Sequence, residues 1–220
     1  MLNLKNKSAT PPYKQGFTLA EVLITLVIIG VIAAMTVPTL INKTNNQEYV
    51  SKLKKAYSTL AQATNLIIAE EGTPRVDKGG WATSGGNIYN LYKKHLVNAK
   101  ECGSNTGCWQ QSATYGNSIR NNDNAYNLVL ADGTQVYFDT VSEDCSSQDW
   151  SGSDNVCASI HLDINGAKKP NKTGRDVFIF VIKEQGLYPA GCEHIEECTD
   201  SNRNGTACAC KVLREGAMNY

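Results

Sequence analysis

Apolar residues in this chain concentrate in one run. Phe17 to Leu40 reads FTLAEVLITLVIIGVIAAMTVPTL, with Glu21 as its only charged residue. As a helix, Phe17 to Val37 spans about 30 Å, the thickness of a bilayer's hydrocarbon core. Pro38 either terminates this helix or bends it, because proline removes one backbone hydrogen bond and crowds the preceding turn. A different pattern follows. Val50, Leu53, Ala56, Tyr57, Leu60, Ala63, Thr64, Ile67 and Ile68 recur at three- and four-residue spacing, the stripe of an amphipathic helix. Lys52, Lys54 and Lys55 lie off the stripe, and Gly72 with Pro74 stops it. Residues 17 to about 71 therefore read as one long helix whose second half must bury one face.

The remainder alternates with period two. Tyr126 to Phe138 holds two β-prone runs around Asp132-Gly133, a hairpin turn signal. Cys157 to Ile164 reads as a strand, Asn165-Gly166 as a turn, and Asp176 to Ile182 as another strand. Tyr89 to Leu96 suggests a short helix. Residues 72–86 are a loop by composition, and the Gly-, Asn- and Ser-rich stretch from Cys102 to Asn124 reads as a surface excursion. A long helix against an antiparallel sheet makes the fold class α+β.

Composition narrows the setting. Net charge is zero, which gives no support for nucleic-acid binding by bulk charge. The chain has eight cysteines, Cys102, Cys108, Cys145, Cys157, Cys192, Cys198, Cys208 and Cys210, all outside the apolar run. An even number in a polar, loop-rich region reads as a disulfide framework, and no Cys-x-x-Cys zinc spacing occurs. Connectivity does not follow from sequence. The expectation is closure between near neighbours, Cys102 with Cys108 and Cys145 with Cys157, with the Cys-Ala-Cys tail a last strand or loop tied to Cys192 and Cys198. Disulfides require an oxidising compartment. Lys5, Lys7 and Lys14, with no acid before Phe17, place the N-terminus in the cytoplasm and the bulk outside, in agreement.

Glu21 is the residue an ordinary membrane anchor does not explain. A carboxylate in an apolar span is costly unless it lies near the interface or has a partner, and such residues are functional by default. A secretory signal fits poorly, because the apolar core is too long and no Ala-x-Ala follows it. Lys14-Gln15-Gly16 followed by Phe17-Thr18-Leu19-Ala20-Glu21 resembles the cleavage and methylation motif of type IV prepilins and type II secretion pseudopilins. The resemblance implies a pilin-like fold, with cleavage between Gly16 and Phe17 by the prepilin peptidase and N-methylation of Phe17. It also implies assembly through Phe17 and Glu21, with the Glu21 carboxylate pairing with a neighbour's Phe17 amine. The organisation implied is a leader at 1–16, a transmembrane and assembly helix at 17–37, its amphipathic continuation at 38–71 and an extracytoplasmic β-rich head at 72–220. Implied partners are other pilin or pseudopilin subunits, the peptidase/methyltransferase and an inner-membrane assembly platform. The implied location is the bacterial inner membrane, single pass, with the head periplasmic or on an extracellular filament. The alternative is a minor or tip pilin acting as an adhesin or a DNA-uptake binding module.

Candidate chemistry in the head is sparse. Asp163, Asn165 and Asp176, with Asn171, gather oxygen donors between two strands, which suits calcium, the one candidate cofactor. The competing reading is turn chemistry, with Asx side chains capping the backbone. Asp200 to Gly205 copies the opening of a calcium-binding EF-hand loop, but Lys211 stands where its closing glutamate is needed. His95, His161 and His194 show no metal-helix spacing, and no nucleophile elbow or phosphate-cradling glycine loop occurs. The chain reads as a structural subunit and not an enzyme.

Overall fold

The computed structural model describes residues 16–104, 108–109, 126–149, 151–198 and 204–220. Residues 1–15, most of the Gly/Asn/Ser-rich excursion and residues 199–203 of the EF-hand-like run lie outside them. The chain divides into two compact units, Met1–Thr44 and Asn45–Tyr220.

One helix, α1 (Leu19–Glu71), contributes to both units and contains Pro38. Termination at Pro38 is therefore excluded, since the loss of one amide donor leaves the flanking turns intact. In the first unit the Thr25, Thr36 and Thr39 hydroxyls donate to carbonyls of the preceding turn, so no hydroxyl in the apolar run needs water. Leu23, Ile24, Leu26, Val27 and Ile29 are more than half exposed. α1 is long and apolar enough to cross a membrane.

In the second unit α1 buries Val50, Leu53, Ala56, Leu60, Ala63 and Ile67, the stripe expected from the spacing. Each fully buried leucine or isoleucine contributes about 1.5–3 kcal/mol, so this face holds the helix to the rest of the unit. Its partner is a six-stranded antiparallel sheet with strands in sequence order. The strands are β1 (Asn98–Gly103), β2 (Tyr126–Leu130), β3 (Gln135–Thr140), β4 (Ala158–Asp163), β5 (Val177–Lys183) and β6 (Gly186–Pro189). Strand alternation sorts β5 between two cores. Phe178, Phe180 and Ile182 join the α1 face, and Tyr57 stacks on Phe180 with ring centroids 5.3 Å apart. Ile179 and Val181 turn to a smaller cluster with Val156 and Ala190.

The expected hairpin is β2–β3. Gly133 takes φ 88°, and the Asp132 carboxylate accepts from Thr134 N–H at 3.1 Å while pairing with Lys55 at 2.8 Å. The expected short helix is α2 (Gly85–His95). It starts earlier than the apolar pattern suggested because Ser84 caps it, its hydroxyl accepting from Asn87 N–H. The sheet exceeds expectation at both edges, β1 and β6. The C-terminal tail corrects the sequence reading: Cys208–Glu215 is helix α3, capped by Gly216 at φ 66°.

All eight cysteines are paired, as Cys102–Cys108, Cys145–Cys157, Cys192–Cys210 and Cys198–Cys208. The first two match the near-neighbour expectation. The last two tie the tail to Cys192 and Cys198, but from the first turn of a helix.

Candidate functional site

Gly16 and Phe17 precede α1 outside any helix or strand, and Phe17 is 89% exposed. A Cβ built on Gly16 would meet nothing within 4 Å. Nothing in the chain's own packing thus asks for a glycine there. One turn on, Thr18 and Glu21 bond reciprocally. Thr18 N–H and its hydroxyl each donate to Glu21 Oε2 at 2.8 Å, and Glu21 N–H donates to Thr18 Oγ1 at 3.2 Å. This is a capping box, which satisfies amides a helix start would otherwise leave open. The sequence reading took Glu21 for a motif position and passed over Thr18. The signal was present in Thr-x-x-Glu before an apolar run.

In the second unit the oxygen-rich segment closes the β4–β5 loop. Asp163 ends β4 and Asp176 immediately precedes β5, and both are buried. Asp176 is an acceptor hub. Its Oδ1 accepts from Lys172 N–H at 2.6 Å, and its Oδ2 accepts from Asn171 N–H at 2.8 Å and the Asn165 amide at 2.9 Å. The Asn165 amide also donates to the Tyr49 hydroxyl at 3.1 Å, which ties the loop to α1. Burial, reinforced by the Asp176 carboxylate, pushes Asp163 up to about 8. Burial also raises Asp176, against the N–H donors that favour its ionised form. Asn165 Oδ1 and Thr173 Oγ1 are buried with no hydrogen-bond partner. Turn chemistry accounts for Asp176. It also serves Asp163, whose Oδ1 accepts from Asn165 N–H at 3.2 Å, but it does not account for the idle oxygen of Asn165 or for two acids buried close together. Those features fit an oxygen-seeking cation. Among the described residues no three His, Cys, Asp or Glu side chains converge, so neutral oxygens would have to complete the shell.

Residues 12–37 match the family model of the prokaryotic N-terminal methylation motif. The chain carries the signature of type IV pilins and pseudopilins. No curated protein and no solved structure matches the chain. The matched stretch contains Gly16, Phe17, Thr18 and Glu21 and ends before the second unit. The signature therefore supports a subunit of the pilin or pseudopilin class.

The histidines do not converge. His95 ends α2 and faces Glu70 at 3.2 Å. His161 sits on β4 against Tyr137, its Nε2 3.1 Å from Ser159 Oγ, and burial pushes it down to about 4, so it is neutral at pH 7. His194 lies between Cys192 and Cys198, whose sulfurs are committed to disulfides and cannot serve as thiolate ligands.

Proposed function

We propose that this chain is a structural subunit of a type IV pilus or a type II secretion pseudopilus, made as a precursor and polymerised through its N-terminal helix. The match to the methylation motif at residues 12–37 carries the reading. Residues 1–16 act as the leader. The prepilin peptidase cuts between Gly16 and Phe17 and methylates the new Phe17 amine. Phe17 to Val37 crosses the inner membrane with its N-terminus in the cytoplasm, residues 38–71 continue toward the head, and residues 72–220 fold outside. The assembly platform then moves the subunit from membrane to filament. In the filament the Glu21 carboxylate pairs with a neighbour's Phe17 amine. Such a pair contributes little net stability but sets register, because loss of one partner strands the other. The subunit itself performs no catalysis.

Mass spectrometry of the mature protein tests this directly. The expected polypeptide starts at N-methyl-Phe17 and lacks the hydrogens of eight thiols. A mature chain that retains Met1, or that starts after Ala34, removes the assignment.

In the head, Asp163, Asp176 and the Asn165 oxygen form the proposed calcium site. The folded loop alone brings these oxygens together, so an ion that binds them stabilises by mass action. At about a hundredfold excess over its dissociation constant, calcium is expected to raise the melting temperature by about 5–10 °C. Magnesium, which dehydrates reluctantly, should do less. Asp163→Asn should abolish the response. A melting temperature insensitive to millimolar calcium in the wild-type chain refutes the site.

A further inference from the structure

The second unit separates its charges. Within it α1 carries Lys52, Lys54 and Lys55 early and Glu70 and Glu71 in its last turn, where it has no basic residue. The helix dipole favours the opposite at a C-terminus, so local helix stability does not explain the arrangement. Neighbouring elements extend each pole. The β4–β5 loop, fixed to α1 through Asn165 and Tyr49, presents exposed Lys168 and Lys169, of which Lys168 is near enough to Glu48 to lower its pKa. Past the other end Val76 N–H donates to the Glu143 carbonyl at 2.8 Å, so exposed Glu143 and Asp144 lie beside the segment that follows α1, where Arg75 and Lys78 are already paired with Asp77 and Glu184. Lys52 and Lys55 are matched by Glu48 and Asp132. Lys54, Lys168 and Lys169 have no ion pair among the described residues, and neither do Glu71 and Glu143. From Lys54 to Glu71 the helix rises about 25 Å.

Residues 45–220 hold 17 basic and 20 acidic side chains, so segregation outweighs any excess. A body positive at one end and negative at the other complements a translated copy of itself. Such head-to-tail contacts do not close, and they generate open filaments. An anionic lipid surface would account for the basic pole alone and leave the acidic pole without purpose. We propose that the basic pole of one subunit, centred on Lys54, Lys168 and Lys169, docks on the acidic pole of another copy, centred on Glu71, Glu143 and Asp144. The contact sets the axial stagger of heads. It rests on the filament reading and adds a specific head interface to it.

The test uses the full chain in a cell that processes and assembles it, with sheared filaments measured by immunoblot. Lys168→Glu/Lys169→Glu is expected to lower filament yield at least about tenfold through like-charge contact, and Glu71→Lys/Glu143→Lys to do the same. The combined four-residue charge swap is expected to restore yield to within about twofold, since complementarity returns with its direction reversed. All four side chains are exposed, so melting temperatures should match wild type, and Lys168→Gln/Lys169→Gln should give an intermediate yield. Pole variants that assemble normally overturn the contact. So does a four-residue swap that stays as poor as either pair, the result expected if the basic pole serves lipid instead. A wild-type chain absent from sheared filaments removes the filament reading and the contact with it, whereas normal wild-type assembly with unaffected variants removes only the contact.

Discussion

Glu21→Ala is expected to leave cleavage after Gly16 intact and to lower incorporation into filaments at least about a hundredfold, the effect of breaking a buried charge pair worth several kcal/mol. In the proposed filament the methylated Phe17 amine enters a bundle of apolar helices. It can stay charged there only against a carboxylate, and Glu21 is the only acid in the run. The structure supplies a competing explanation for the same residue, because Glu21 also closes the capping box with Thr18. A lost cap costs about 0.5–2 kcal/mol and would weaken the helix start in any setting. Glu21→Gln separates the two. A glutamine can still accept from Thr18 but carries no charge. Pairing predicts that Glu21→Gln fails nearly as badly as Glu21→Ala, and capping predicts that it assembles. Quantitation of sheared filaments beside the processed membrane pool reads both. Normal assembly of Glu21→Ala would refute the pairing role.

The second large effect is in the head. Cys198→Ala/Cys208→Ala is expected to destabilise it by about 2–4 kcal/mol, the usual loss for a native disulfide. For a domain of this size that lowers the melting temperature by about 10 °C. Cys198 and Cys208 are among the buried core residues, at 2% and 0% exposed. Their bond pins the first turn of α3, which has no side-chain cap. Removal therefore loosens a helix as well as a loop. Cys102→Ala/Cys108→Ala should cost less, since it closes a separation of only 6 residues beside an edge strand. A calorimetric comparison of the two alanine pairs with the oxidised wild type decides the ranking. A Cys198→Ala/Cys208→Ala melting temperature within about 2 °C of wild type would show that packing alone holds α3.

The parts of this fold that were legible in sequence are those in which one local pattern suffices. The α1 stripe, the Asp132-Gly133 hairpin and the β4–β5 pair each follow from spacing and turn residues. The edge strands do not. β1 (NAKECG) has no β-branched residue and pairs with β2 through two register shifts, so main-chain bonding and not side-chain pattern makes it a strand. The tail misled for the opposite reason. Cys-Ala-Cys alternates like a strand, but its disulfides go to Cys192 and Cys198, and α3 buries Cys208, Ala209 and Val212 at helical spacing. At the candidate sites the same division holds. The methylation motif that contains Gly16, Phe17 and Glu21 was legible because such a motif is read locally along the chain. The oxygens of Asp163, Asn165 and Asp176 were legible as composition. Tyr49, which ties their loop to α1, lies 116 positions from Asn165, beyond any local pattern.

The disulfide connectivity has a consequence for how the head is made. Cys102 meets Cys108 and Cys145 meets Cys157 before any later cysteine is needed, and Cys198–Cys208 nests inside Cys192–Cys210. A chain that emerges N-terminus first can therefore oxidise in order of emergence, each early bond closing with the next cysteine to appear. Only the final four present a choice of partners. Errors of oxidation should accordingly gather in the last stretch of the chain, where an isomerase would have its work, while the two earlier bridges need only an oxidant.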